Sequence, residues 1–243
     1  MHTLSIILCR AGSKGLPRKS LLPLEGQPVI TYTFEHVKAS KRLDAAILST
    51  DDADAAALAE EHGIEVVERP ADLATDQATV DSAARHAVEV YERRHNVRVH
   101  VAVLLYANVP VRAAGVIDRA VGHLIDTRAD SVRTVAAIGK RHPFWLHRLD
   151  GDRMIKYADN NVYRRQDLEP LYYHDGSVVA VRREALFTPP AHAEDYHAFF
   201  GRDRRAIVQG CYDTVDIDDP EDLVLAGTLL CRSRSAELRS PIG

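Results

Sequence analysis

Apolar runs alternate with stretches of helical spacing along this chain, and the alternation begins almost at the first residue. Residues 4–9 (Leu4-Ser5-Ile6-Ile7-Leu8-Cys9) read as a buried first strand. Residues 45–50 read as a second, and Asp51 and Asp52 stand where they can cap an Ala-rich helix running to about residue 62. A short third strand follows at 64–67, a helix near 79–94, a buried strand at 99–105, a loop over 106–112, a helix near 115–126 and a strand at 131–137. The pattern predicts an α/β fold: a doubly wound, mostly parallel sheet with helices on both faces.

The rhythm then breaks. Residues 140–174 are aromatic, basic and poorly periodic. A connection of that length in a compact domain has a purpose, and hairpin character suits it to dimerisation or to covering a site. Asp175-Gly176 leads into a strand at 177–181, residues 188–204 are loop-like, and short extended pieces at 206–208 and 214–215 precede a helix from 220 to about 231. The polar tail 232–243 is expected to fray. No repeat or domain-length linker divides the chain, so 1–243 reads as one domain carrying an inserted excursion.

Composition narrows the class. With 46% hydrophobic and 27% charged residues, the 243-residue chain is that of a globular domain. A net charge of −4 argues against a general nucleic-acid binder. No apolar run approaches the ~20 residues of a membrane span. Met1-His2-Thr3 leads straight into the first strand, so no leader is expected and the cytoplasm is the expected location. Cys9, Cys211 and Cys231 are scattered without metal-ligand spacing, as are the 12 His.

Two constellations carry chemistry. The first strand ends in Arg10-Ala11-Gly12-Ser13-Lys14-Gly15-Leu16-Pro17-Arg18-Lys19-Ser20. Gly12 and Gly15 let backbone approach an anion, and successive N–H groups can form an anion nest. Arg10, Lys14, Arg18 and Lys19 can neutralise a triphosphate. The loop is neither a P-loop nor G-x-G-x-x-G; a solvated basic turn is the plainer alternative. The second constellation is Asp216-Ile217-Asp218-Asp219-Pro220. Residues two apart on extended chain share a side, so Asp216 and Asp218 can meet one hard cation, and Mg2+ suits them. Helix capping explains Asp219 before Pro220 without requiring Asp216.

The strand followed by Arg-x-Gly-Ser-Lys-Gly-x-x-x-Lys resembles the signature of the acylneuraminate cytidylyltransferases, the CMP-sialic acid synthetases and their relatives. The resemblance recurs in Ser49-Thr50-Asp51, in Arg69-Pro70-Ala71-Asp72-Leu73-Ala74-Thr75-Asp76, in Leu104 to Arg112, in Arg164-Arg165-Gln166-Asp167-Leu168 with Asp175-Gly176, and in Asp216-x-Asp218. It implies a nucleotide-diphospho-sugar transferase-like Rossmann variant that uses CTP, a sugar acid and Mg2+ (Mn2+ being possible), and that forms a homodimer through the excursion. It further implies that Arg10, Gly12, Ser13, Lys14, Gly15, Lys19, Ser20, Arg69, Thr79 and Ser82 bind the nucleotide. Asp216 and Asp218 would hold the metal, and Arg10, Lys19 and Asp216 would carry catalysis. Tyr106, Arg165, Gln166 and Asp175 would meet the acceptor.

Departures from the family pattern collect at the acceptor end. Tyr106 stands where Gln is usual, Val109 for Ser, Asp175 for Asn, and Trp145 where Lys can occur; at the phosphate end only Ser20 replaces a usual Asn. The pattern favours cytidylyl transfer over any one acceptor. Two other classes stay open on sequence grounds: a metal-dependent glycosyltransferase and a non-catalytic nucleotide or sugar-acid binder.

Overall fold

The computed structural model describes residues 1–12, 15–188, 195 and 197–237, with side chains of the last helix described to residue 232. Its core is a seven-stranded sheet. Three parallel strands, β1 (Thr3–Leu8), β4 (Ala45–Thr50) and β5 (Glu65–Glu68), run outward in that order. A hairpin of two-residue strands, β2 (Pro23–Leu24) and β3 (Gln27–Pro28), lies between β1 and β4 in sequence. On the other side of β1 lies β6 (Val101–Tyr106), also parallel to it. Next to β6 comes β10 (Tyr172–Arg182), then β7 (Ser131–Ala137), then β11 (Arg204–Gln209) at the edge. Only β10 runs against its neighbours, so the expected mostly parallel, doubly wound sheet is present. The order turns between β4 and β6, both flanking β1, which opens a crevice at the carboxyl ends of β1 and β6.

Strand alternation divides the core into two layers. Ile7, Leu48, Val103 and Leu105 face α1 (Val29–Ala39), α2 (Ala53–Glu61) and α4 (Val116–Thr127). Leu4, Ile6, Leu8 and Leu104 face α3 (Val80–His95) and the short α5 (Arg183–Leu186). A third cluster seats α6 (Pro220–Glu237) against α1 through Ile217, Ala226, Val29 and Tyr32. Each fully buried Leu or Ile in these layers contributes roughly 1.5–3 kcal/mol.

Several boundaries move and one helix is new. Helix α1 fell in a stretch to which the sequence reading gave no element; Ile30, Phe34 and Val37 put its apolar stripe at helical spacing. Asp52 caps α2, accepting from the Asp54 and Ala55 amides, as expected. The strand expected at 177–181 begins earlier, at Tyr172, because its first residues pair with Ala137, Ala136 and Val135 of β7. The piece at 214–215 forms no strand, only a bridge from Val215 to Val111. The last helix continues to Glu237, so the fraying expected from residue 232 does not begin there; residues 238–243 lie outside the described residues.

The excursion is a hairpin of β8 (His147–Asp150) and β9 (Arg153–Lys156), every residue of which is exposed. Leu149 and Met154 pair across it, 71% and 65% exposed, and Tyr163 beyond it is 91% exposed.

Candidate active site

The loop after β1 wraps the mouth of a cavity of about 450 Å³ at the switch point. Arg10, Gly15, Lys19 and Ser20 line one wall; Arg69, Thr75 and Thr79 a second; Tyr106, Asn108 and Asp218 a third. Ser13 and Lys14 lie outside the described residues. The remaining cations of the loop part company. Lys19 faces the cavity and its Nζ sits 2.6 Å from Asp218 Oδ1. Arg18 adopts left-handed backbone (φ 51°) and turns away to Asp52 and Asp54, at 3.2 and 2.5 Å. The sequence reading counted Arg18 among the cations that neutralise a triphosphate; the structure gives it to the N-terminus of α2 instead.

Arg10 bridges the mouth, donating to the Thr75 carbonyl at 3.1 Å and pairing with Asp76 at 2.9 Å. Asp51 ties the loop from below by accepting the Ala11 amide at 2.9 Å. The two glycines differ. A Cβ at Gly12 would meet nothing within 4 Å, whereas one at Gly15 would stand 2.7 Å from the Asp218 carbonyl oxygen. Gly15 therefore lets the first loop close on the Asp-x-Asp segment.

Of the two carboxylates in that segment, Asp218 lines the cavity and Asp216 is not among its lining residues. Ile217 is buried between them, and the charge of Asp218 reaches Asp216. Burial, with the charge of Asp218 adding, pushes the Asp216 carboxyl up to about 6. Asn108 holds Asp216 by donating to its Oδ1, and donates also to the Ile217 carbonyl at 2.9 Å. Sequence reasoning passed over Asn108; a short amide at the carboxyl end of a switch-point strand was the available signal. Gly176 (φ +76°) leaves room beside Asp216, because a Cβ there would lie 3.2 Å from Oδ2. Asp219 accepts from the Asp222 amide at 2.9 Å and caps α6, while Asp222 accepts the amides of Asp218 and Asp219.

Two carboxylates two residues apart, one of them partly buried, are a donor set suited to a hard divalent cation. Among the described residues no cluster of three or more His, Cys, Asp or Glu is arranged to hold a metal. Substrate oxygens and water would have to complete the shell.

The other expected site residues sort by geometry. Arg69 is buried, donates to the Ser49 hydroxyl (3.2 Å) and carbonyl (2.8 Å), and still reaches the cavity wall. Thr79 lines the cavity and caps α3, accepting from the Ser82 amide. Ser82 lies off the wall and returns its hydroxyl to the Thr79 carbonyl at 2.7 Å. Asp175 does not face the cavity: it is buried and accepts from Thr134 (2.5 Å), the Ser177 amide (3.0 Å) and Gln209 (2.5 Å), so its oxygens are already committed within the fold. Arg165 and Gln166 occupy an exposed turn of the excursion, off the cavity of this protomer.

Arg112, which the family pattern retains, is a buried pin. It donates to the carbonyls of Tyr106, Val109 and Ser177 and to the Thr33 hydroxyl, at 2.6 to 3.0 Å. Burial pushes it down to about 9, so it stays charged at neutral pH.

Residues 4–200 match the cytidylyltransferase family. The N-acylneuraminate cytidylyltransferase of Streptococcus agalactiae serotype V is 32% identical over 228 residues, 92% of this chain and 52% of that protein. The pseudaminic acid cytidylyltransferase of Campylobacter jejuni is 28% identical over 181 residues, 73% of this chain and 77% of its own. The chain spans about half the length of the N-acylneuraminate cytidylyltransferases it matches. In fold it resembles a CMP:2-keto-3-deoxy-manno-octonic acid synthetase solved with CTP, at a TM-score of 0.71 and 18% identity over 96% of this chain and 100% of that one. A match over residues 4–200, four-fifths of the sequence and running through the cationic loop, makes this chain a member of the cytidylyltransferase family.

Proposed function

We propose that this protein transfers CMP from CTP to the anomeric hydroxyl of a 2-keto-3-deoxy sugar acid, sialic acid or a related nonulosonic acid, with release of pyrophosphate. The observation that carries the reading is the meeting of Lys19 and Gly15 with Asp218 at one cavity, which sets cations for a polyphosphate against carboxylates for its metal. The relatives' substrates, an N-acylneuraminate and pseudaminic acid, support the acceptor class.

In the proposed reaction the acceptor oxygen bonds to the α-phosphorus as the bond from that phosphorus to the β-phosphate oxygen breaks. The hydroxyl proton passes to solvent or to a nearby carboxylate, and the electron pair leaves with pyrophosphate. No side chain becomes bonded to the nucleotide. Arg10 and Lys19 stabilise the charge that grows on the leaving group, and their preorganisation in the cavity wall is the catalytic contribution. Both must release their present partners, Asp76 and Asp218, to do so. Asp216 and Asp218 would hold Mg2+ or Mn2+, which supplies Lewis-acid neutralisation of phosphate charge. Asn108 fixes the rotamer of Asp216.

The exposed Leu149, Met154 and Ile155 of the hairpin support a homodimer, in which Arg165 and Gln166 of the excursion would serve a partner's acceptor site. No helix among the described residues is long and apolar enough to cross a membrane; a cytoplasmic location is part of the proposal.

The test is pyrophosphate release with CTP and Mg2+ against a panel of 2-keto sugar acids, repeated with the other nucleoside triphosphates. Release that requires CTP, metal and one acid is expected. Calorimetric CTP binding without release from any acid would leave a binding protein, and no CTP binding would sink the reading of the loop.

A further inference from the structure

Asp175 is a buried carboxylate that the proposed reaction does not use. It stands where β10 shifts register against β7, between His174 and Val179. Its Oδ1 accepts the Thr134 hydroxyl of β7 and the Ser177 amide, which closes the backbone around residue 176 into a bulge. Its Oδ2 accepts from Gln209 Nε2, at the end of β11, at 2.5 Å and faces the Thr214 hydroxyl at 3.5 Å. Gln209 Nε2 donates to Thr214 Oγ1 as well, at 3.0 Å. One side chain thus gathers β7, β10, β11 and the turn that leads to Asp216.

Both ends of that gathering bear on Asp216. Gly176, within the bulge, comes so near that a Cβ there would stand 3.2 Å from Asp216 Oδ2. Thr214 lies two residues ahead of Asp216 in the chain. Asn108 holds the other oxygen, Oδ1, and the carbonyls of Val111 and Asn108 accept the amides of Val215 and Ile217. The Asp216 carboxylate is therefore held from one side by residues 108–111 and from the other by what Asp175 anchors.

The bonds to Asp175 have a fixed direction. A carboxylate only accepts, so Gln209 turns its NH2 to Asp175 and Thr214. Its Oε1 is left buried without a hydrogen-bond partner among the described residues. An asparagine at 175 would still accept from Thr134 and Ser177, and its Nδ2 would donate to that Oε1 once the Gln209 amide turned over. An alanine would release β7, β11 and the 214 turn together.

We propose that Asp175 is a positioning residue for the metal pair. It seats the Gly176 bulge against Asp216 and anchors Thr214, so that Asp216 and Asp218 meet the cation in one arrangement. The inference rests on the metal assignment in the proposed function and deepens it. What acts is the hydrogen-bonded geometry, so asparagine replaces Asp175 and alanine does not.

The experiment is calorimetric titration of the full chain with α,β-methylene-CTP, once with Mg2+ and once with EDTA. The wild type should bind at least ~10-fold tighter with Mg2+. Asp175→Ala should lose most of that gain, in the range usual for a residue that orients a metal ligand, and bind within twofold of wild type in EDTA. Asp175→Asn should match the wild type within twofold in both media. Asp130 ties the Arg202 and Asp203 amides at the opposite ends of β7 and β11. Asp130→Ala should therefore lower the thermal midpoint and keep the metal gain. If Asp175→Ala unfolds, Thr214→Val removes one link of the anchor and should lose severalfold of the gain. An equal metal gain in wild type and both Asp175→Ala and Thr214→Val, an equal loss in both media, asparagine as weak as alanine, or no metal gain in the wild type would each overturn the proposal. A metal gain that depends on Asp175, without pyrophosphate release from any acid, would defeat the proposed reaction and leave this inference. Pyrophosphate release by the wild type, with the metal gain untouched in Asp175→Ala, would do the reverse.

Discussion

Lys19 Nζ lies 2.6 Å from Asp218 Oδ1, joining the loop after the first strand to a segment 199 residues later. The pair ties the two walls of the cavity together, and on the proposed reading its members separate to serve the leaving group and the metal. Lys19→Ala and Asp216→Ala are each expected to lose at least ~100-fold in turnover, the usual cost of one preorganised electrostatic group. Steady-state kinetics, with circular dichroism as a check on folding, measure it. An active Asp216→Ala variant would end the metal assignment.

Gly15→Ala places a methyl group 2.7 Å from a backbone oxygen that cannot swing aside. The loop must lift from Asp218, so CTP affinity should fall at least tenfold while the unfolding midpoint moves little. Gly12→Ala, with open space around it, is the control and should bind CTP normally. Equal behaviour of the two variants would disprove the close-approach argument.

His36 sits beside Arg112, its Nδ1 3.3 Å from the guanidinium, and burial with that charge holds it down to about 3. The unfolded chain, at 6.5, takes up the proton first. Stability from neutral His36 is complete above 6.5 and falls as pH drops from there towards 3, by about 1.4 kcal/mol per pH unit. Unfolding free energies from urea titrations at pH 7.5 and pH 5 should diverge by about 2 kcal/mol less in His36→Gln than in the wild type. An unchanged acid limb would place the loss elsewhere.

Leu149 and Met154 face solvent in a single protomer. If the hairpin is the dimer contact, the double variant Leu149→Glu, Met154→Glu should sediment as a monomer, and CTP binding should survive because the cavity belongs to one chain. A monomeric wild type would refute this.

Asn108→Ala removes the donor that fixes Asp216 but no charge. Turnover should fall while CTP binding holds, and added Mg2+ should recover part of the loss. Asn108→Asp, which brings a third carboxylate to the pair, should be worse than alanine at low Mg2+.

What the sequence disclosed about the site was its charged chemistry; what it hid was direction. Lys19 and the Asp216–Asp218 segment could be singled out together from residue type and spacing, and the structure brings Lys19 onto Asp218. Arg18 has the same chemistry as its neighbour, but left-handed backbone sends it to α2. Asp175 follows the motif, yet three close donors consume it within the fold. Two neighbours in one motif divide in a way the sequence does not mark: Arg112 is a buried pin, and Asn108 touches the Asp216 carboxylate. In the fold, helix α1 escaped notice because its Val, Ile and Thr content resembles strand. Its Ile30, Phe34 and Val37 spacing was the better guide.

The closure of Gly15 under the Asp218 carbonyl also bears on how the protein is made. The loop after β1 and its counterpart at Asp218 are separated by about 200 residues of chain, so the first is synthesised long before the second. Until residues 216–218 dock, the loop is a basic flap with nothing to close upon. Any fragment ending short of them lacks the partner of Lys19 and the Asp216–Asp218 pair. The contact between Gly15 and the Asp218 carbonyl can therefore form only once both segments have been made.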